Sequence, residues 1–329
     1  MGAVPSSASK PRTGHHFVAT KYAAPAALGS RSTRARTRAR THARTHARTL
    51  PLDLRPFNTV LGVGGFGKVV RHDVDPTVVK LYYSAGTCAE SAKEFAMLQR
   101  AFDAIAPFFA TEQIYVPRPI AFANFPHYWG DESFACVLEL GLLGPVPGFR
   151  GIVHIVLKED YKGMVDREIG KNPAKPVSDE NPARGFFATG SLLDAAVLPG
   201  IDSGMKGALR TSAEIAHRFG FLYGMLVAAG MYPFDVEFAL GVVHGQLHVV
   251  ALDFNLARVI PEGADPGTIA YGLVNGLDGV AGAYSDLYVP YVDDPTWPNW
   301  QKGVQAAAAV ALPGSAAILD AFLTEYAAT

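Results

Sequence analysis

The sequence predicts an α+β protein with two lobes and a cleft between them. Strand-like runs come first in the folded part of the chain, and strongly periodic helical segments come later. With 49% hydrophobic and 18% charged residues, the 329-residue chain has enough apolar side chains for a sizeable core. This composition excludes a wholly disordered protein, because such chains lack the apolar surface that offsets the entropy of ordering.

The chain begins with a basic arm, which we expect to be disordered. Residues 1–56 hold eleven Lys and Arg and a single acid, Asp53, for a formal charge of +10, while the remaining residues carry −11. Residues 31–48 form a low-complexity run of Arg, Thr, Ala and His whose like charges repel. We assign 1–52 to the arm, 53–141 to a first lobe and 142–329 to a second lobe with an insertion around 145–207.

Composition also bears on the compartment of the protein. No apolar run approaches eighteen residues without a polar break, so we expect no membrane span. The Arg-rich arm is typical of a mitochondrial targeting segment or of a nucleic-acid-binding tail; apart from it we expect an intracellular protein, cytoplasmic or nuclear. Cys88 and Cys136 are too few for a disulfide framework, and we expect two reduced, packed thiols.

The elements of the first lobe follow from local patterns of turn residues, β-branched residues and helical periodicity. In chain order they are the glycine-punctuated hairpin Leu61–Gly67, the strand Thr77–Tyr83, the helix Ala89–Ala104 and the strand Phe134–Leu140.

The second lobe opens with a helix whose start is marked by its sequence. Thr211 and Glu214 form a capping-box pattern ahead of an apolar stripe that repeats at helical spacing up to Gly230. Later elements are the strands Val236–Val243 and His248–Leu252, joined by a turn around Gly245, and the final helix Ser315–Tyr326.

Residues of the first lobe favour a site for nucleotide phosphates. Gly62, Gly64 and Gly67 lie between two strand-like runs and not before a helix, which argues against a dinucleotide-binding βαβ unit. A glycine-rich hairpin lets backbone amides approach phosphates, and Lys80 in the next strand supplies a positive charge. Glu94, on the helix that follows, is positioned to pair with Lys80 and hold it.

Asp253 directly follows the last apolar strand of this region. An acid at such a strand end is suited to hold Mg²⁺ that bridges phosphate oxygens. Taken singly, each of these residues has a plain structural explanation, but their order and spacing together favour a nucleotide-binding architecture.

Residues 60–256 resemble the protein-kinase-like fold. The glycine-rich loop with Val69, a VAIK-type Lys80, an αC-type Glu94 and a DFG-type Asp253 carry the resemblance, together with a hinge-like Val137–Leu140 that contains Glu139. It implies a bilobal fold with a small β-rich N-lobe and a mainly helical C-lobe. The implied cofactors are ATP, contacted by these first-lobe residues, and Mg²⁺.

A narrower resemblance involves Asp235–Gly241, of the form DxEFxLG, followed by Leu252–Asn255, which contains DFN. These motifs are similar to those of a fungal kinase-like domain family of unknown function, sometimes found in proteins labelled zinc-finger. That resemblance implies no established activity.

The catalytic loop departs from the kinase pattern H-R-D-x-x-x-x-N. Alignment on the following strand puts Glu237 at the Asn position and Tyr232 at the Asp position, where a phenol of pKa about 10 is a poor base. Counting back from Asp253 makes Asp235 the base but leaves Leu240 where a metal-binding Asn is expected. We favour the strand register, with Glu237 and Asp253 binding metal and Asp235 as the base; its alternative role is a turn or capping aspartate.

The sequence is consistent with two functions. The first is a phosphotransferase that moves the γ-phosphoryl of MgATP to a protein or small-molecule hydroxyl, with Lys80 and Asp235 in catalysis. The second is a catalytically silent kinase-like module that binds proteins, favoured by the missing H-R-D. Nucleic acid is expected as a partner only through the basic arm.

Overall fold

The computed structural model describes residues 54, 56–63, 66–146, 152–157, 186–188, 211–285 and 288–329. The predicted arm at 1–52, Gly64 and most of the insertion at 145–207 lie outside the described residues.

The described part of the chain is a mixed α+β structure. Its strands are β1 Phe57–Val63, β2 Gly67–His72, β3 Thr77–Tyr82, β4 Ile114–Tyr115, β5 Pro119–Ala123, β6 His127–Trp129, β7 Glu132–Phe134, β8 Cys136–Gly141, β9 Val153–Val156, β10 Phe186–Ala188, β11 Met231–Tyr232, β12 Glu237–Val243, β13 Gln246–Leu252 and β14 Arg258–Val259. Its main helices are α1 Ala85–Ile105, α2 Ser212–Ala228, α3 Pro266–Asn275, α4 Trp297–Val310 and α5 Pro313–Ala327. None of the helices in this part combines the length and the apolarity that a membrane crossing needs.

The first sheet has the strand order β1-β2-β3-β8-β5, with antiparallel neighbours throughout. Successive side chains of a strand point to opposite faces. One face of β3 presents Val79 and Leu81 to a small apolar cluster that includes Phe57 and Phe134. The other face presents Lys80 and Tyr82, and Tyr82 packs in the larger core with residues of α1. The sheet therefore carries the predicted lysine on its helix side.

A second sheet has the order β10-β9-β12-β13-β4. The sequence predicts only the hairpin at its centre, and β12 and β13 are joined there by a two-residue turn at His244 and Gly245. The turn residues have φ of +50° and +77°, as the tight turn of a two-residue hairpin requires. The other strands pair with this hairpin over long sequence separations, which local periodicity does not reveal.

Helix α2 begins at the predicted capping box. The hydroxyl of Thr211 accepts a hydrogen bond from the backbone N–H of Glu214, whose carboxylate accepts one from the N–H of Thr211, both at 3.1 Å. Along its length α2 packs tightly against α4. A Cβ on Gly220 would lie 2.0 Å from the carbonyl oxygen of Trp300, so this glycine permits the close approach of the two helices.

Cys88 and Cys136 form a disulfide, so the prediction of two reduced thiols is wrong. The bridge joins the first turn of α1 to the start of β8, and both residues are buried. Their Cα atoms lie 5.9 Å apart although 48 positions separate them in sequence. Two isolated cysteines carry no local signal of pairing, and the packing of α1 on the first sheet brings them together.

Candidate functional site

Lys80 lies at the centre of a cluster of charged side chains. Its Nζ is 3.0 Å from Oε1 and 3.1 Å from Oε2 of Glu94, and 2.9 Å from Oδ1 of Asp253. Lys80 is in β3, Glu94 in α1, and Asp253 directly follows β13. A strand, a helix and the end of a distant strand therefore meet at one ammonium group.

Local periodicity explains how two of these side chains reach the cluster. On α1, Glu94 lies among the buried residues that share one helix face, which include Ser91 and Leu98. On β3, Lys80 points to the face of the sheet that this helix covers. Packing of the helix on the sheet consequently turns Glu94 towards Lys80, and only 2% of Glu94 stays exposed.

The electrostatics of the cluster hold the lysine charged. Burial by itself lowers the pKa of Lys80, but the negative charges of Glu94 and Asp253 outweigh it, and the pKa of the ammonium lies above its ordinary value. Burial raises the pKa of Glu94, while the Lys80 ammonium opposes that shift. The side chain of Asp253 keeps 30% of its surface exposed and is thus the more accessible of the two acids.

Tyr82 is a further member of this cluster, which sequence reasoning missed. Its hydroxyl donates a hydrogen bond of 2.7 Å to Oε2 of Glu94, and the residue is 3% exposed. Burial and the charge of Glu94 raise the pKa of Tyr82 well above its ordinary value, so the phenol stays a proton donor. Its position two residues after Lys80, on the same strand face, is the signal that could have identified it.

The two predicted aspartates share an uncommon backbone conformation. Asp235 and Asp253 each have a φ of +54°, in the left-handed region that side-chain-bearing residues seldom adopt. Such residues cluster at functional sites, where the surrounding structure enforces them. Asp235 is exposed between two buried neighbours, and partial burial of its carboxyl together with the charge of Asp253 raises its pKa.

The residues that the two alignments with the kinase pattern select have different surroundings. Glu237 is the first residue of β12 and pairs with Leu252, the residue before Asp253, so the backbones of Glu237 and Asp253 lie close together. Leu240, in the middle of the same strand, is buried and has no ligating group. Tyr232 is 5% exposed, its ring stacks on Phe234, and burial raises its pKa. The alignment on the following strand thus puts a carboxylate at the Asn position of the kinase pattern and a buried tyrosine at its Asp position.

The glycine-rich hairpin is formed by β1 and β2. Gly62 pairs with Val69, and Val69 in turn pairs with Lys80 across β2 and β3, so Val69 borders the charged cluster. Packing alone explains the glycine at position 67, because a Cβ there would lie 1.8 Å from the carbonyl oxygen of Leu81. Close packing of β2 on β3 therefore requires a glycine at this position whatever binds nearby.

Glu139 is not brought together with Lys80. In β8 it pairs with Val79 on one side and Ala121 on the other, whereas Lys80 pairs with Leu138. Paired residues of an antiparallel sheet share a face, so the buried side chain of Glu139 points to the opposite face from Lys80. Its contact with a nucleotide stays a prediction.

Asp253 and Glu237 are the two acids predicted to bind a metal. The described residues contain no group of three or more His, Cys, Asp or Glu side chains suited to hold an ion. Two carboxylates nevertheless match the way proteins hold Mg²⁺, which usually keeps several waters and shares its ligands with substrate phosphates. A metal held by these two residues would need further ligands from phosphate and water.

No protein-family model matches the chain, and no curated protein matches it. A solved structure described as "ROP18 kinase domain in complex with AMP-PNP and sucrose" is similar, with 14% identity, coverage of 82% of each chain and a TM-score of 0.31.

Proposed function

We propose that this protein is a kinase-like domain that binds MgATP in a cleft between two lobes. The observation that carries the proposal is the bridging of Glu94 and Asp253 by the ammonium of Lys80. One acid is buried and fixed on a helix, and the other is half-exposed at a strand end. Such a lysine offers a fixed positive charge to nucleotide phosphates, while the exposed acid remains accessible to a metal ion.

The charge of the cluster supports a divalent cation as part of the ligand. With all three groups ionised, Lys80, Glu94 and Asp253 carry one excess negative charge. Mg²⁺ would be held by Asp253 and Glu237, and it supplies charge that neutralises phosphate oxygens. Gly62 and Val69 of the hairpin next to Lys80 would border the phosphates.

The finer proposal is phosphoryl transfer with Asp235 as the base. The oxygen of an acceptor hydroxyl attacks the γ-phosphorus, the bond to the β-phosphate oxygen breaks, and the hydroxyl proton passes to Asp235. A partly exposed carboxyl whose pKa is raised by desolvation and by the charge of Asp253 is better suited to accept that proton than an ordinary aspartate. The acceptor is a hydroxyl of a protein or a small molecule.

A catalytically silent interaction module is the second candidate, and the buried Tyr232 favours it. In the strand register this residue occupies the position of the kinase base, and it stacks in the core on Phe234. In this case the nucleotide would stabilise the fold without being consumed. The resemblance of Asp235–Gly241 to a fungal kinase-like family belongs equally to both candidates and stays a proposal.

A thermal-shift titration with MgATP, with Mg²⁺ alone as a control, tests nucleotide binding. Ligand at about 100 times its dissociation constant stabilises a fold by roughly 2.7 kcal/mol, and we expect the shift to vanish in Lys80→Ala. Lys93→Ala is the matched control, because Lys93 is an exposed lysine of α1 that pairs with Glu90. Absence of a shift in the wild type, or an equal shift in both variants, would contradict the proposed site.

Labelled ATP with panels of acceptors then separates the two candidates. Phosphoryl transfer predicts turnover that Asp235→Asn abolishes while the thermal shift with MgATP persists. Binding without turnover in the wild type would leave the silent module as the function.

A further inference from the structure

Tyr82 gives Glu94 a hydrogen bond that is independent of the lysine. The ammonium of Lys80 divides its donors between Glu94 and Asp253, at 3.0 Å and 2.9 Å. The hydroxyl of Tyr82 donates to Glu94 alone among the three, at 2.7 Å. Because Glu94 is 2% exposed, water cannot replace a lost donor without opening the interior.

We infer that Tyr82 is a positioning residue, whose hydroxyl holds the carboxylate of Glu94 against Lys80 when Asp253 and Lys80 engage a metal and phosphates. This inference rests on the proposed function, since a bound nucleotide competes for the donors of Lys80. A neutral donor on the same strand, unaffected by that competition, keeps Glu94 in place in both states.

Tyr82 is itself held at the junction of α1 and the first sheet. It is 3% exposed and packs in the larger core with Cys88 and Leu98 of α1. Across the sheet, Tyr82 pairs with Cys136, whose disulfide to Cys88 ties the start of α1 to β8. The phenol therefore sits where the helix and the sheet are linked covalently, and its hydroxyl has little freedom to leave Glu94.

The hydrogen bond from Tyr82 to Glu94 should make the stability of the fold depend on pH. The groups that act on Glu94 are Lys80 and Tyr82 from β3 and Asp253 after the end of β13. Burial raises the pKa of Glu94, and loss of the Tyr82 donor, which favours the ionised form, raises it further. A folded-state pKa above the unfolded value confers stability at low pH that is lost as pH rises, so Tyr82→Phe extends this loss to higher pH.

Tyr82→Phe with Tyr83→Phe as the matched control is the decisive pair. Tyr83 is the adjacent tyrosine, 41% exposed, with its ring stacked on Phe134. We expect Tyr82→Phe to weaken MgATP binding at pH 7 about tenfold, the effect of one hydrogen bond to a charged group, and Tyr83→Phe to leave it unchanged. In urea unfolding without nucleotide, we expect the midpoint of Tyr82→Phe to fall further below that of the wild type at pH 8 than at pH 5.

An equal loss at both pH values, with MgATP affinity like that of Tyr83→Phe, would show a merely structural hydroxyl and overturn the inference. Glu94→Gln provides the second test, because glutamine has no carboxyl to titrate. In that background, the stability that Tyr82→Phe costs should no longer depend on pH. A wild type that does not bind MgATP overturns the proposed function instead. The pH dependence of unfolding then still decides whether Tyr82 holds Glu94.

Discussion

At the scale of residues, the site depends on backbone conformations as much as on side chains. Asp235 and Asp253 both stand at a φ of +54°, which costs most L-residues roughly 1–2 kcal/mol. Aspartate and asparagine adopt this region more readily than other side chains, since they hydrogen-bond their local backbone. The identity of these residues is therefore constrained by conformation as well as by charge.

Asp235 offers a direct test of that constraint. We expect Asp235→Ala to lower the free energy of unfolding by about 1 kcal/mol, because alanine lacks the local hydrogen bonds that offset a left-handed φ. Asp235→Asn should stay within about 0.5 kcal/mol of the wild type. Urea unfolding of both variants measures the difference, and equal stability of the two would contradict a conformational role.

At the scale of elements, α1 connects the charged cluster to the disulfide. Cys88 lies in its first turn, and Ser91 and Glu94 follow on the same buried face. The covalent bond to Cys136 and the hydrogen bond to Tyr82 both fasten this face to the first sheet. The position of Glu94 is thus a property of the whole packed helix and not of one ion pair.

Loss of the disulfide should weaken the fold and loosen this helix. Closing a loop of 48 residues stabilises a protein by about 4 kcal/mol in the chain-entropy model. We expect a thiol reductant to lower the free energy of unfolding by up to about this amount. The double variant Cys88→Ser/Cys136→Ser serves as the control, because its stability should not respond to reductant. A wild type that is equally insensitive would contradict the bridge.

At the scale of the whole molecule, the sequence predicts what is local and misses what depends on distant pairing. The hairpin around Gly245, the strand that carries Lys80 and the capping box at Thr211 all follow from neighbouring residues. The five-stranded second sheet and the Cys88–Cys136 bridge arise from segments far apart along the chain. No local sequence pattern predicts them.

The candidate site divides in the same way. Spacing and residue type select Lys80, Glu94 and Asp253, whose side chains meet in the structure. The same resemblance selects Glu139, whose side chain points to the other face of the sheet, because strand register decides that and the motif does not. The sequence does not predict a role for Tyr82, because tyrosine is common in strands. Its role follows from the hydrogen bond that its hydroxyl donates to the buried carboxylate of Glu94.

Calorimetric titration of ATP into the wild type, with and without Mg²⁺, tests the central claim most directly. The account predicts saturable binding with one equivalent of nucleotide that requires Mg²⁺, is lost in Lys80→Ala and is retained in Lys93→Ala. Absence of binding by the wild type, or binding that Lys80→Ala leaves intact, would contradict a nucleotide site at this lysine.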